Sequence, residues 1–200
     1  MIRLVLFLLC TLVGGYATAA IAADPLGELR KSFTVQGKPV PPEVFGDFGD
    51  AMMSDNRPIV VTVDALAAIG SNRYYDAITK NGDWIEQKKP GNSGAQGAEA
   101  MAYRFVGATG NGLLVVLASW MGGGTGVFYT LHVVDAAWKP AFDEDGTKYR
   151  RLDLSLVRSY ILGDRWEGEV KISGNAIRIT TTASRAERSL SPVTLQAQRP

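Results

Sequence analysis

Residues 119–134 read SWMGGGTGVFYTLHVV, and the role of the glycines from Gly122 to Gly126 decides the fold. A loop that cradles phosphate joins a strand to a helix N-terminus, whereas a tight turn joins two antiparallel strands. A phosphate loop needs G-x-x-x-x-G-K-[ST], and a dinucleotide loop needs G-x-G-x-x-G ahead of a helix. Neither spacing occurs, and no lysine follows. The residues after Gly126 are Val, Phe, Tyr, Thr, Leu, His, Val and Val, dense in β-formers. The glycines therefore read as a hairpin turn or bulge that needs backbone freedom.

The neighbouring sequence extends this reading. Upstream, AMAYRFVGATGNGLLVVLASWM holds two strand-like runs joined between Gly107 and Gly112, with Asn111-Gly112 as the hairpin signal. Downstream, KPAFDEDGTKYRRLDLSLVRSYIL turns at Asp145-Gly146. The clearest hairpin is EVKISGNAIRITTT, which sets Val170 and Ile172 against Ile177 and Ile179, with Lys171 and Arg178 on the opposite face. Five or six consecutive strands with short loops predict a mainly β protein, an antiparallel meander, barrel-like or sandwich-like.

The N-terminal part carries mixed signals. KSFTVQGKPV reads as a short strand and turn, PPEVFGDFGDAMM as a short helix opened by Pro42-Glu43, and RPIVVTV as a buried strand. DALAAIGSN and NRYYDAITKNG offer one or two short helical turns, closed by Asn81-Gly82. The Lys88 to Ala100 segment, rich in Gly, Ser, Asn and Gln, reads as a mobile surface loop. One or two short helices are thus expected ahead of the strands.

The first residues, MIRLVLFLLCTLVGGYATAAIAAD, give one basic residue (Arg3), an apolar run from Leu4 to Val13, and small residues ending in Ala20-Ile21-Ala22. That order is a secretory signal peptide over residues 1–22, cleaved near Ala22 or Ala23, ahead of one β-rich domain over residues 23–200. The apolar run falls short of the roughly 20 residues a spanning helix needs, and no later stretch reaches that length. The expected location is the periplasm or the exterior.

Cleavage would remove Arg3 and Cys10, leaving 20 basic and 20 acidic residues and a cysteine-free chain. A neutral balance without basic runs argues against nucleic acid, whose binding depends on neutralising phosphates. Without cysteine there is no disulfide, thiol nucleophile or cysteine metal site. No cofactor loop or metal set stands out, so none is expected.

Candidate chemistry is sparse. His132, the only histidine, shares a strand face with Phe128, Thr130 and Val134 and reads as a half-buried structural residue. Serine hydrolysis would need Ser119 or another serine as nucleophile and Asp135 or Asp64 to orient the ring, but no G-x-S-x-G elbow is present. DEDGTKYRRLDL fails as a calcium loop, because Lys148 and Leu154 stand where such a loop needs Gly and Glu. Asp47, Asp50 and Asp55, or Asp83 and Glu86 beside Trp84, are acidic but single out no catalytic pair. Most of Trp84, Trp120, Trp138 and Trp166 should be core. Trp120 and Trp166, each beside a glycine-containing turn, are the candidates for a binding face.

Two motifs carry a resemblance: Gly123, Gly124, Thr125, Gly126 and Phe128, then Leu162, Gly163, Asp164 and Arg165. Over roughly the C-terminal half, the chain resembles a group of uncharacterised bacterial exported proteins and lipoproteins. In that group a glycine-rich GGSG-F segment precedes a strand and a Leu-Gly-Asp-Arg turn precedes the final hairpin. The resemblance implies export and a β-rich fold, with no activity attached. Asp164-Arg165 itself reads as a local ion pair or backbone brace, with a ligand-facing arginine as the alternative.

The sequence thus predicts an exported, non-enzymatic binding module for an envelope protein or a cell-wall or glycan component. Its candidate ligand-binding residues are Trp120, Gly123, Gly124, Thr125, Arg165 and Trp166. Two alternatives stand beside it: a cofactor-free hydrolase using carboxylates or His132 with a serine, and a structural envelope component.

Overall fold

The computed structural model describes residues 24–50, 62–70, 77–88, 99–182 and 192–198. The expected signal peptide, residues 57–61 of the RPIVVTV strand, residues 73–76 and the centre of the Lys88 to Ala100 loop lie outside them.

Helix α1 (Pro25–Ser32) starts where the Asp24 side chain accepts the Gly27 amide at 3.0 Å, and proline takes the first turn. It ends at Phe33, whose left-handed backbone (φ 55°) returns its N–H to the Leu29 carbonyl. Strands β1 (Thr34–Val35) and β2 (Lys38–Pro39) form a small hairpin, turning at Gln36-Gly37, where KSFTVQGKPV indicates a short strand and turn. Helix α2 (Val44–Asp50) follows the diproline, as expected. Next come β3 (Thr62–Asp64) and helix α3 (Ala65–Gly70), which Asp64 caps by accepting the Leu66 amide at 2.9 Å and the Ala67 amide at 3.2 Å.

Three short helices are present among the described residues, where the sequence indicates one or two. The start signal of α1, Asp24-Pro25, adjoins the expected cleavage site. Two local expectations are corrected. Asn81-Gly82 does not close a helix: β4 (Thr79–Asn81) and β5 (Trp84–Lys88) form a hairpin in which Asn81 pairs with Trp84 and Gly82 takes φ 59°. The described end of RPIVVTV is not the buried strand expected: β3 is an edge among the described strands, with Thr62 exposed and Val63 only partly buried.

Strands β6 (Glu99–Ala108), β7 (Leu114–Gly122), β8 (Phe128–Phe142) and β9 (Lys148–Asp164) complete a seven-stranded sheet of order β3-β9-β8-β7-β6-β5-β4. From β4 to β9 it is the antiparallel meander that the turn spacing predicts. The second sheet holds β10 (Gly168–Ser173), β11 (Ala176–Thr181) and β12 (Val193–Gln196), the last lying beyond the expected final hairpin. Val170 pairs with Ile179, Lys171 with Arg178, and Ile172 with Ile177, as their alternation requires.

Neither sheet closes on itself, so the architecture is sandwich-like and not a barrel. One face of the large sheet, through Val115, Leu117, Leu131 and Val133, packs against Trp166, Val170, Ile177 and Ile179 of the small sheet region. The other, through Leu114, Val116, Val134 and Leu154, packs against Leu29, Phe33, Val44 and Phe48. Burying large side chains on both faces stabilises by about 1.5–3 kcal/mol each, which fixes the strand facing. Hydrogen bonds also join the sheets at one end: the Asn111 amide donates to Asn175 Oδ1 and Asn111 Nδ2 to the Ala197 carbonyl, both at 2.8 Å.

Candidate functional site

The β7–β8 turn lies at the far end of the meander, where β9 also ends. Of its glycines only Gly123 has a left-handed backbone (φ 84°). Gly122 and Gly126 are constrained differently, because a Cβ on Gly122 would come within 2.6 Å of the Trp120 ring and one on Gly126 within 3.0 Å of the Phe128 ring. The glycine run thus makes a turn and lets two aromatic rings lie close to its backbone.

The turn is clamped by the end of β9. Asp164 Oδ1 accepts the Val127 amide at 2.8 Å, and the Arg165 amide donates to the Val127 carbonyl at 2.7 Å. Arg165 Nη2 donates to the Thr125 carbonyl, while Nη1 donates to Asp164 Oδ2 at 2.9 Å. Arg165 holds this position with a left-handed backbone (φ 47°), uncommon for a residue bearing a Cβ. The two motifs are one unit: the Leu-Gly-Asp-Arg turn fastens the Gly-rich turn. Arg165 acts as the brace that its sequence suggests.

On the outer part of this unit Trp120 and Phe128 are paired across β7 and β8, their ring centroids 6.0 Å apart. They stay 42% and 47% exposed, and Trp120 Nε1 donates to Glu99 Oε1 at 3.4 Å. Ile161, opposite Thr130 on the same sheet face, is 71% exposed. Large apolar side chains left in water on a well-braced sheet end are characteristic of contact surfaces.

Trp120, Gly123, Gly124, Thr125 and Arg165 therefore come together. Trp166 lies apart, buried against the small sheet with its Nε1 donating to Thr181 Oγ1 at 3.1 Å. Phe128 and Ile161 also belong to the exposed group, which the sequence does not mark. Alternation did place Phe128 on the face of His132, whereas Ile161 is turned onto that face by bulges in β9 that no periodicity announces.

His132 is more enclosed than the half-buried position expected. Only 2% exposed, its ring stacks on Phe45 at 5.3 Å and lies 5.9 Å from Phe48. Its Nδ1 sits 2.7 Å from Ser159 Oγ. Burial lowers its pKa to about 4, so the ring is uncharged at neutral pH. Of the carboxylates considered to orient it, Asp64 caps α3, and Asp135, three residues along β8, is on the opposite face. This histidine–serine pair belongs to the core under α2.

Another concavity, a cleft of about 470 Å³, opens between the β1–β2 hairpin and the β4–β5 edge, with Ser32, Thr34, Lys80 and Asp83 at its walls and Tyr103 within. Among the described residues the buried Tyr103 hydroxyl has no hydrogen-bond partner of good geometry; the Val40 backbone beside it only partly offsets the burial that raises its pKa. The clamped turn contributes no residue to this cleft. Among the described residues, no group of three His, Cys, Asp or Glu is placed to hold a metal ion, and no helix is long and apolar enough to cross a membrane.

No family model, curated protein or solved structure matches the chain.

Proposed function

We propose that the chain is an exported, non-enzymatic binding module, and that its contact surface is the Trp120, Phe128 and Ile161 face beside the clamped Gly-rich turn. The observation that carries this reading is the exposed pairing of Trp120 and Phe128 on strands that Asp164 and Arg165 lock together. A rigid surface loses little conformational freedom on binding, so its apolar area can act in recognition. Its partner is an envelope protein or a cell-wall glycan: aromatic faces pack on apolar side chains and on the apolar faces of sugars. Export, and a site in the periplasm or outside the cell, rest on the N-terminal pattern of residues 1–22.

The test combines two measurements on the wild type and Trp120→Ala. The first is the melting midpoint with soluble cell-wall glycan fragments; the second is cross-linking in cells through a photoreactive residue at position 161. A ligand at 100 times its dissociation constant adds about 2.7 kcal/mol, roughly 5–10 °C for a chain of this size. A shift confined to the wild type assigns a glycan. A cross-linked protein lost in Trp120→Ala assigns a protein partner, and the absence of both sinks the reading.

A further inference from the structure

At the end of the meander opposite the clamped turn, β8 and β9 run on past their neighbours. The last pairing of β7 with β8 is Leu114 with Val134, and β3 pairs with β9 only at residues 153–155. Among the described residues, from Lys139 and Arg151 outward the two strands pair with each other alone, through Pro140 with Arg150, Ala141 with Tyr149, and Phe142 with Lys148. These four ranks span roughly 10 Å at 3.4 Å per residue, and then the turn follows. The turn is well formed: Asp143 Oδ1 accepts the Asp145 and Thr147 amides at 3.1 and 2.7 Å.

Three features of this arm conflict with a solitary existence. Phe142 is 68% exposed, and Tyr149 and Pro140 are exposed with it. A two-stranded ribbon is marginally stable in water and leaves both outer edges open. Like charges also stand together on each face, with Lys139 directly opposite Arg151 on one and Arg150 and Lys148 two residues apart on the other, an arrangement that disfavours the ribbon by itself. Of these cations Arg151 is matched by Asp153, and Arg150 lies over the Trp138 ring at 5.1 Å. The tip, by contrast, is wholly acidic: Asp143, Glu144 and Asp145.

We infer that the arm is a self-association surface, whose occupant is the arm of a second copy of this chain laid antiparallel across it. The charge order is self-complementary, as a two-fold interface requires, because every contact made by one copy is repeated by the other. An axis near the Phe142 and Lys148 rank sets Phe142 against its copy. It then brings Glu144 and Asp145 of each tip over Arg150 of the other stem, within reach of the long Lys148 side chains beside the axis. The surface is well below the ~800 Å² per partner of a standard interface, so the association is weak and salt-sensitive.

Sedimentation equilibrium of the purified protein between about 10 µM and 1 mM tests this, since dissociation constants in that range fit an interface of this size. The expected result is a weight-average mass rising toward twice that of the chain, with the rise weakened in high salt. Lys148→Glu with Arg150→Glu, and separately Glu144→Lys with Asp145→Lys, should each stay monomeric while still unfolding in one cooperative thermal transition. An equimolar mixture of the two variants should associate again, because each then offers the charge the other needs. A wild type that stays monomeric throughout, variants that associate as the wild type does, or a mixture that fails to associate would each overturn the inference.

Discussion

Asp164 accepts the Val127 amide at 2.8 Å across the end of the sheet, and so joins the close of β9 to the entrance of β8. The bond ties two motifs 37 residues apart in the chain, and Arg165 adds a second tie to the Thr125 carbonyl. Replacing Asp164 with Ala removes the acceptor of this exposed bond and, with it, the carboxylate that pairs with Arg165 Nη1, a combined loss of about 0.5–1.5 kcal/mol. Urea unfolding should show that decrease. An unchanged midpoint would mean that the turn holds its shape without the clamp.

The facing of β11 sets a sharper contrast. Ile177 is fully buried between the sheets, while its neighbour Arg178 is exposed. Ile177→Asp places an unpaired charge in the core and should unfold the protein, at a cost above about 4 kcal/mol. Arg178→Asp should stay within about 0.5 kcal/mol of wild type in the same thermal melt. Comparable losses in the two would contradict the register.

His132 gives the protein a pH dependence of known sign. Its folded pKa, about 4, lies below the unfolded value of 6.5, so the unfolded chain binds the proton more readily. The neutral ring's contribution is complete above pH 6.5 and is lost progressively as pH falls from there through pH 4. At about 1.4 kcal/mol per unit, the loss amounts to about 3 kcal/mol. His132→Leu should flatten unfolding free energy over that range, and an NMR titration should find the ring neutral at pH 5.5. A ring that titrates near 6.5 would mean that α2 does not cover it.

Tyr103 offers a test of the cleft side of the core. Among the described residues its buried hydroxyl has only the Val40 backbone beside it, in poor hydrogen-bond geometry, so the ring packs well but its oxygen is poorly satisfied. Tyr103→Phe keeps the contacts with Phe33 and Phe45 and should raise stability by about 1 kcal/mol. A fall of that size in calorimetry would reveal a hydrogen bond that this geometry lacks.

Much of the fold is legible in the sequence because strand alternation and turn residues are local signals. Asn111-Gly112, Asp145-Gly146 and Gly174-Asn175 mark hairpins that form where their chemistry puts them. Asn81-Gly82 misleads because the same dipeptide suits a helix end and a hairpin, and strand pairing with Trp84 decides between them. The exposed face was only half legible. Trp120 is flagged by its neighbouring glycines, but Ile161 reaches that face through bulges in β9, which depend on pairing with β8. Trp166 adjoins a glycine turn just as Trp120 does, and only the second sheet packed over it separates the two. His132 is buried by α2, a helix almost ninety residues earlier, and no pattern around the histidine foretells that contact.

The most direct test of the contact surface is photo-cross-linking in cells with the reactive residue placed in turn at Ile161 and at Arg178. Both positions are exposed, but only Ile161 shares the face of Trp120 and Phe128. A discrete product is expected from position 161 that disappears with Trp120→Ala, and none from position 178. Equal products from both positions, or a product at 161 indifferent to Trp120, would contradict it.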